Sequence, residues 1–201
     1  MTKQLKAVIM QLYVNLGVIM LDGFFHAIYA LNISTILITI PIMLLVWSVI
    51  GAFFYKYSRI ICTVTAVIII CSILYITVFS RSERGVGADF IPFSSFERAK
   101  LQPEMFRSIL MNVFLFVPFG LALPFIFGGK TGKRILLTIL VGLLLSVTVE
   151  AIQYFAHLGM AEVDDLIYNT LGTAIGSCVY PLALLWRRLF KKFKERRSPD
   201  E

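Results

Sequence analysis

Charge is scarce in this chain. Only 15% of its 201 residues are Asp, Glu, Lys or Arg, where a soluble domain carries about a quarter. Acids are the scarcer sign, 12 against 19 bases. With 58% of the residues hydrophobic, the chain holds more apolar surface than one core of this size can hide from water, which excludes an ordinary soluble domain. Cysteine is also rare. Cys62 and Cys71 are separated by about 13 Å of helical rise, too far for a disulfide, and with Cys178 they read as small buried apolar residues. Neither an internal repeat nor a low-complexity tract is evident, so the chain reads as one domain. A Ser–His nucleophile pair is lacking, as is a CDP-alcohol transferase signature. One acidic turn, Glu162–Asp165, stands where aspartate-dependent prenyltransferases show two acidic motifs. No small-x-small cleavage site follows the apolar run Ala7–Leu21 behind Lys3 and Lys6, so this segment is expected to be an uncleaved anchor.

What is present is long apolar sequence. Ile36–Phe54 and Ile60–Phe79 contain no charged side chain and approach the ~20 residues that cross hydrocarbon. The expected fold is an all-α polytopic membrane helical bundle with five to six transmembrane helices. Candidate spans are roughly 7–29, 33–55, 60–80, 106–127, 135–156 and 166–188. The first carries Gln11, Asn15, Asp22 and His26 and has the weakest signal; Asp22 and His26 read as an interfacial pair. Pro41, Pro118 and Pro181 fall inside spans, and each removes a backbone donor and is expected to kink its helix.

The net charge of +7 would suit nucleic acid, but its placement argues for a membrane. Of the 19 basic residues, seven lie in the tail Arg187–Arg197, directly after an apolar span. Six spans divide the loops into two sets. The set with the N-terminus, 56–59, 128–134 and the tail holds 14 of the 19 bases, so that side is expected to be cytoplasmic, in a multi-pass cell-membrane protein whose tail meets anionic headgroups.

The long outer loop 81–107 then faces the exterior. Ser94 and Glu97 have capping-box spacing, which predicts a short helix ending before Pro103. Phe90, Phe93 and Phe96 suit either a segment lying on the membrane surface or an ordinary loop with buried phenylalanines.

Polar residues inside the spans converge at one depth. Glu150 lies about 9 Å inside the outer end of the fifth span. Asn112 in the fourth and Asn169 in the sixth are placed similarly, and Arg81 marks the outer end of the third. Gly142, Ser146, Glu150, Gln153 and His157 form one stripe on the fifth helix. Asp165 and Asn169 share a face with Gly172 and Gly176, whose Gly-x-x-x-Gly spacing allows close helix approach. The fifth and sixth helices are therefore expected to pack with the polar stripe between them. A carboxylate in a span costs a few kcal/mol and marks a functional site by default, although the same residues could simply hydrogen-bond the bundle together. Asp164 and Asp165 alone suit a solvated turn capping the sixth helix, and His157 reads as an interface residue.

These residues resemble a known family. Phe79-Ser80-Arg81, Ile91-Pro92-Phe93, Asn112–Gly120, Glu150-x-x-Gln153 and Asp165–Gly172 occur in the order and spacing of VanZ-like membrane proteins. The resemblance divides the chain into N-terminal spans outside it (1–75), a VanZ-like domain (76–188) and a basic tail (189–201). It departs from the family at Asp89, where many members have Asn, and at Glu162, where many have Asp preceded by an Arg that Gly159-Met160-Ala161 does not supply. The family takes its name from an accessory protein associated with resistance to teicoplanin, a glycopeptide with a fatty acyl tail. No reaction is firmly assigned to the family; the placement of the polar residues, taken with the resemblance, leads us to expect an outward-facing site of Arg81, Asn112, Glu150, Gln153, Asp165 and Asn169 acting on membrane lipid, a lipid-linked cell-wall precursor or a lipoglycopeptide. No catalytic residue, metal or cofactor is expected. The alternatives are a membrane enzyme on a lipid-linked substrate, with Glu150 as base or Asp164-Asp165 holding Mg²⁺, and a transporter, against which the absent repeat weighs.

Overall fold

The computed structural model describes residues 31–54, 58–79 and 87–197. The chain divides into two units, Met1–Asn32 and Ile33–Glu201. The first expected span, 7–29, with its Asp22 and His26, lies outside the described residues, as does Arg81. Within the second unit, α1 (Ile33–Phe53) and α2 (Ser58–Leu74) are followed by a widened π turn, Tyr75–Phe79. A strand β1 (Gly87–Asp89), a short helix α3 (Ser94–Ala99) and the long α4 (Pro103–Ile126) come next. Then come α5 (Thr131–Phe155), β2 (Met160–Glu162), α6 (Val163–Ser177) and α7 (Val179–Arg197). Among the described residues, four helical stretches are long and apolar enough to cross a membrane: Ile33–Phe53, Ser58–Val78, Glu104–Ile126 and Thr131–Phe155. The protein is an all-α membrane bundle. To this it adds one feature unforeseen in the sequence, a parallel pairing of β1 with β2 that sets Asp89 opposite Glu162.

The expected sixth span is two helices. The break falls at Cys178, and Pro181 explains it. A proline has no N–H for the carbonyl four residues back, and its ring crowds that carbonyl; here that is Ser177, the last residue of α6. Fifteen residues give α6 a length of about 22 Å. By contrast, Pro41 and Pro118 remain inside unbroken helices, α1 and α4.

Helix α4 is the centre of this unit's bundle and packs against every other helix among the described residues. Its closest neighbour is α6, where glycines let the backbones touch. A Cβ at Gly172 would strike the Val113 carbonyl, one at Gly176 the Val117 carbonyl, and one at Gly120 the Thr173 carbonyl. The Gly-x-x-x-Gly face of α6 therefore seats on α4, whereas the sequence suggested α5. The α5–α6 contact also exists, through Gly142 against the Thr173 side chain. At the end away from the strands, α7 lies along α1. Trp186 Nε1 donates to Ser48 Oγ at 3.1 Å, and Phe53 packs on Phe190 with ring centroids 4.8 Å apart.

Candidate functional site

Helix α5 turns its polar side inward. Thr138, Gly142, Ser146, Val149, Glu150 and Gln153 are buried, while Leu136, Leu140, Leu144 and Val147 are exposed, as a helix facing lipid outside and polar neighbours inside should be. The stripe stops at Gln153. Its expected last member, His157, has left the helix in a left-handed conformation (φ 57°). Leu158 N–H donates to Gln153 O and His157 N–H to Tyr154 O, the paired bonds of a Schellman stop. His157 is an exposed helix terminator.

The polar residues then meet in pairs, each tying two elements. Asn112 Nδ2 on α4 donates to Asp165 Oδ1 on α6 at 2.5 Å. Asn169 Nδ2 on α6 donates to Ser146 Oγ on α5 at 2.9 Å. One turn further along α5, Glu150 Oε2 accepts the Glu162 N–H of β2 at 3.1 Å. Gln153 Nε2 donates to Thr77 O at 2.9 Å, inside the π turn that ends α2. Five of the six expected site residues are thus buried or half-buried at the strand end of the bundle; the sixth, Arg81, lies outside the described residues. Gln153 stands apart from the other four in one respect: it is 1% exposed, yet its Oε1 has no hydrogen-bond partner among the described residues.

Asp164 corrects the sequence reading. It is 1% exposed, not a solvated cap of its own helix. Its carboxylate accepts from Phe93 N–H (2.5 Å), Ser95 N–H (2.7 Å) and the Ser95 hydroxyl. It caps α3 from another element, because Phe93, at the N-cap position, supplies no side-chain acceptor. Phe93 is held there with φ 65°, an unusual conformation for a bulky residue. The expected capping box does not form. Ser94 Oγ donates to Asp89 Oδ2 at 2.7 Å, and Glu97 pairs instead with Lys100 at 2.6 Å. Asp164 and Asp165 serve different partners, and no three His, Cys, Asp or Glu among the described residues come together as a metal-binding group.

Sequence reasoning missed Arg98. Its Nη2 lies 3.6 Å from Asp89 Oδ2 and 3.4 Å from Glu162 Oε2, bridging the facing ends of β1 and β2. A base therefore does reach Glu162, from across the strand pair and not from the residues preceding it. Asp89 also accepts the Ile91 N–H at 3.0 Å, the ordinary turn chemistry of an Asp bonded two residues on.

Asp89 is held below the usual aspartate range, chiefly by the Ser94 hydroxyl, then by the Ile91 N–H, with Arg98 adding to it. A carboxyl depressed by folding stabilises above its unfolded value and loses that contribution as pH falls through its folded value. Amide exchange across residues 87–101 is expected to keep its protection on acidification to the ordinary aspartate value of about 3.9 and to lose it below. In Asp89→Asn that acid-dependent step should be gone.

The family model described as VanZ/LLP1 matches residues 42–187, well over half of the chain. This chain belongs to the VanZ/LLP1 family. An Enterococcus faecium relative described as Protein VanZ is 36% identical over 80 residues, 39% of this chain and 47% of that protein. The matched part thus spans about half the length of that curated relative. No solved structure matches. In this VanZ/LLP1 protein the polar pairs, the β1–β2 pairing and the α3 cap all lie at one end of the bundle.

Proposed function

We propose that this VanZ/LLP1 membrane protein presents an outward-facing polar site at the strand end, and that there it modulates resistance to glycopeptide or lipoglycopeptide antibiotics such as teicoplanin. The site acts on a lipid, a lipid-linked cell-wall precursor or the antibiotic itself. It is built around Asn112, Glu150, Gln153, Asp165 and Asn169, with Arg81 as the sixth member. The basic tail faces the cytoplasm of the cell membrane, which puts the strand end outside.

The observation that carries this reading is the Gln153 amide. A buried acceptor left without a donor costs about 1–3 kcal/mol, and interhelical polar bonds in membranes average only about 0.6 kcal/mol. Holding a bundle together does not require such a group. A ligand offering an amide or hydroxyl donor would satisfy Oε1 while Nε2 keeps its bond to Thr77.

Glu150→Gln and Asn169→Ala are expected to abolish the protein's effect on teicoplanin susceptibility in a host that depends on it, with each variant present in the membrane at the normal level. Unchanged susceptibility in both well-inserted variants would reject the site. The relative's name, Protein VanZ, supports this reading through kinship alone.

A further inference from the structure

The segment between the second and third long apolar stretches carries large apolar side chains that nothing among the described residues covers. Phe90, Ile91, Phe93, Phe96 and Leu101 are 72%, 69%, 56%, 44% and 85% exposed. All belong to a stretch outside the membrane-crossing helices. The opposite side of α3 is occupied, since Ser95 is 4% exposed and bound to Asp164. The segment Phe90–Leu101 therefore has an inner side fixed to the bundle through Ser95, and an outer side where the exposed apolar groups flank the Glu97–Lys100 pair. Phe155, 78% exposed, ends α5 at the same end of the molecule, next to β2.

Three observations name what lies against this face. The segment is bounded by Ser58–Val78 and Glu104–Ile126, so both its ends are fixed where helices enter the apolar layer. Leu101 stands three residues before the second of these. Its outer cation suits the headgroup level: Lys100 Nζ, paired with Glu97, sits 5.7 Å from the Phe96 ring centre, an apolar body with a charged tip of the kind that settles at a membrane surface. Phe155, exposed at the end of lipid-facing α5, lies at the same end of the molecule.

We propose that Phe90–Leu101 is a membrane-interface anchor, its apolar face seated in the headgroup–acyl boundary of the leaflet at the strand end. The occupant is phospholipid, not a second copy of the chain or a soluble partner. Asp164 and the Arg98 bridge join this anchor to the α6 and β2 backbone, so the depth of the anchor sets the height of the polar residues behind it. The inference stands whether or not those residues bind a ligand.

The test uses the full chain reconstituted in phosphatidylcholine–phosphatidylglycerol vesicles. A single tryptophan is introduced by Phe90→Trp, Phe96→Trp or Leu101→Trp, with Trp47 and Trp186 replaced by Phe. Lipids brominated at graded acyl positions report depth, and acrylamide reports water. The expected result is blue-shifted emission, strong quenching by the shallow bromines and a depth of roughly 5–10 Å below the headgroup boundary, at two or more of the three positions. Quenching by acrylamide alone would overturn the proposal in favour of an aqueous loop. Protection from both quenchers would overturn it in favour of a protein cover.

Discussion

Gly172→Val will unseat α6 from α4. The obstacle at Gly172 is the Val113 carbonyl, backbone on the far side of the seam, and a helix backbone cannot swing aside as a side-chain tip can. Overpacking of this kind costs about 1–3 kcal/mol where neighbours can adjust, and sometimes more. Here the adjacent contacts repeat the constraint, with Gly176 against Val117 and Gly120 against Thr173, so the cost should reach or exceed about 3 kcal/mol. By the scaling for chains of this size, the thermal midpoint in detergent should fall by roughly 6–12 °C. The Asn112–Asp165 bond lies about two helical turns along α6 on the same seam, so the polar end should loosen with it. Gly132→Ala is the control. It lies in α5 with open space around the added Cβ, and removing a helical glycine should leave the midpoint unchanged or raise stability by up to about 1 kcal/mol. Equal midpoints for Gly172→Val and the parent would mean that α4 and α6 do not meet in this way.

Asp164→Ala will release the strand-end segment while the bundle stays folded. The carboxylate receives three donors, two of them backbone N–H groups at the start of α3. Hydrogen bonds to a charged acceptor contribute about 1.5–3 kcal/mol each. They are not additive, and a combined loss of about 3 kcal/mol corresponds to a roughly 100-fold rise in local opening. Hydrogen exchange should show that rise across residues 87–101 and little change in α4 and α5. Ser95→Ala removes only the hydroxyl donor and should fall well short of it, and Asp164→Asn should lie between. Equal protection of the segment in Asp164→Ala and the parent would refute the capping role.

The parts of the molecule governed by local chemistry were legible in the sequence. Long apolar runs placed α1, α2, α4 and α5, and three- and four-residue spacing put Gly142, Ser146, Glu150 and Gln153 on one buried face. The exposed phenylalanines decide between the two readings of the outer segment against a loop with buried aromatics. What depended on distant partners was not legible. Glycine spacing showed that α6 approaches something closely, but not that α4 would be the partner. The burial of Asp164 follows from α3 lacking a cap of its own, a need arising 69 residues away in the chain. Pro181 was visible, but a proline kinks one helix and ends another according to its neighbours. Arg98 became significant only once the parallel strand pair brought Asp89 beside Glu162.

The inward-facing polar side of α5 constrains how the chain is made. Released singly into lipid, α5 would show Thr138, Ser146, Glu150 and Gln153 to acyl chains; a carboxylate at the helix centre opposes partition by about 2.5–3.5 kcal/mol, and Glu150, nearer the strand end, by less. Its partner α6, only fifteen residues long, is too short to cross by itself. Each supplies what the other lacks: α5 the length, α6 the hydrogen-bonding surface that Ser146 needs. That complementarity favours release of the two as a hairpin, already joined.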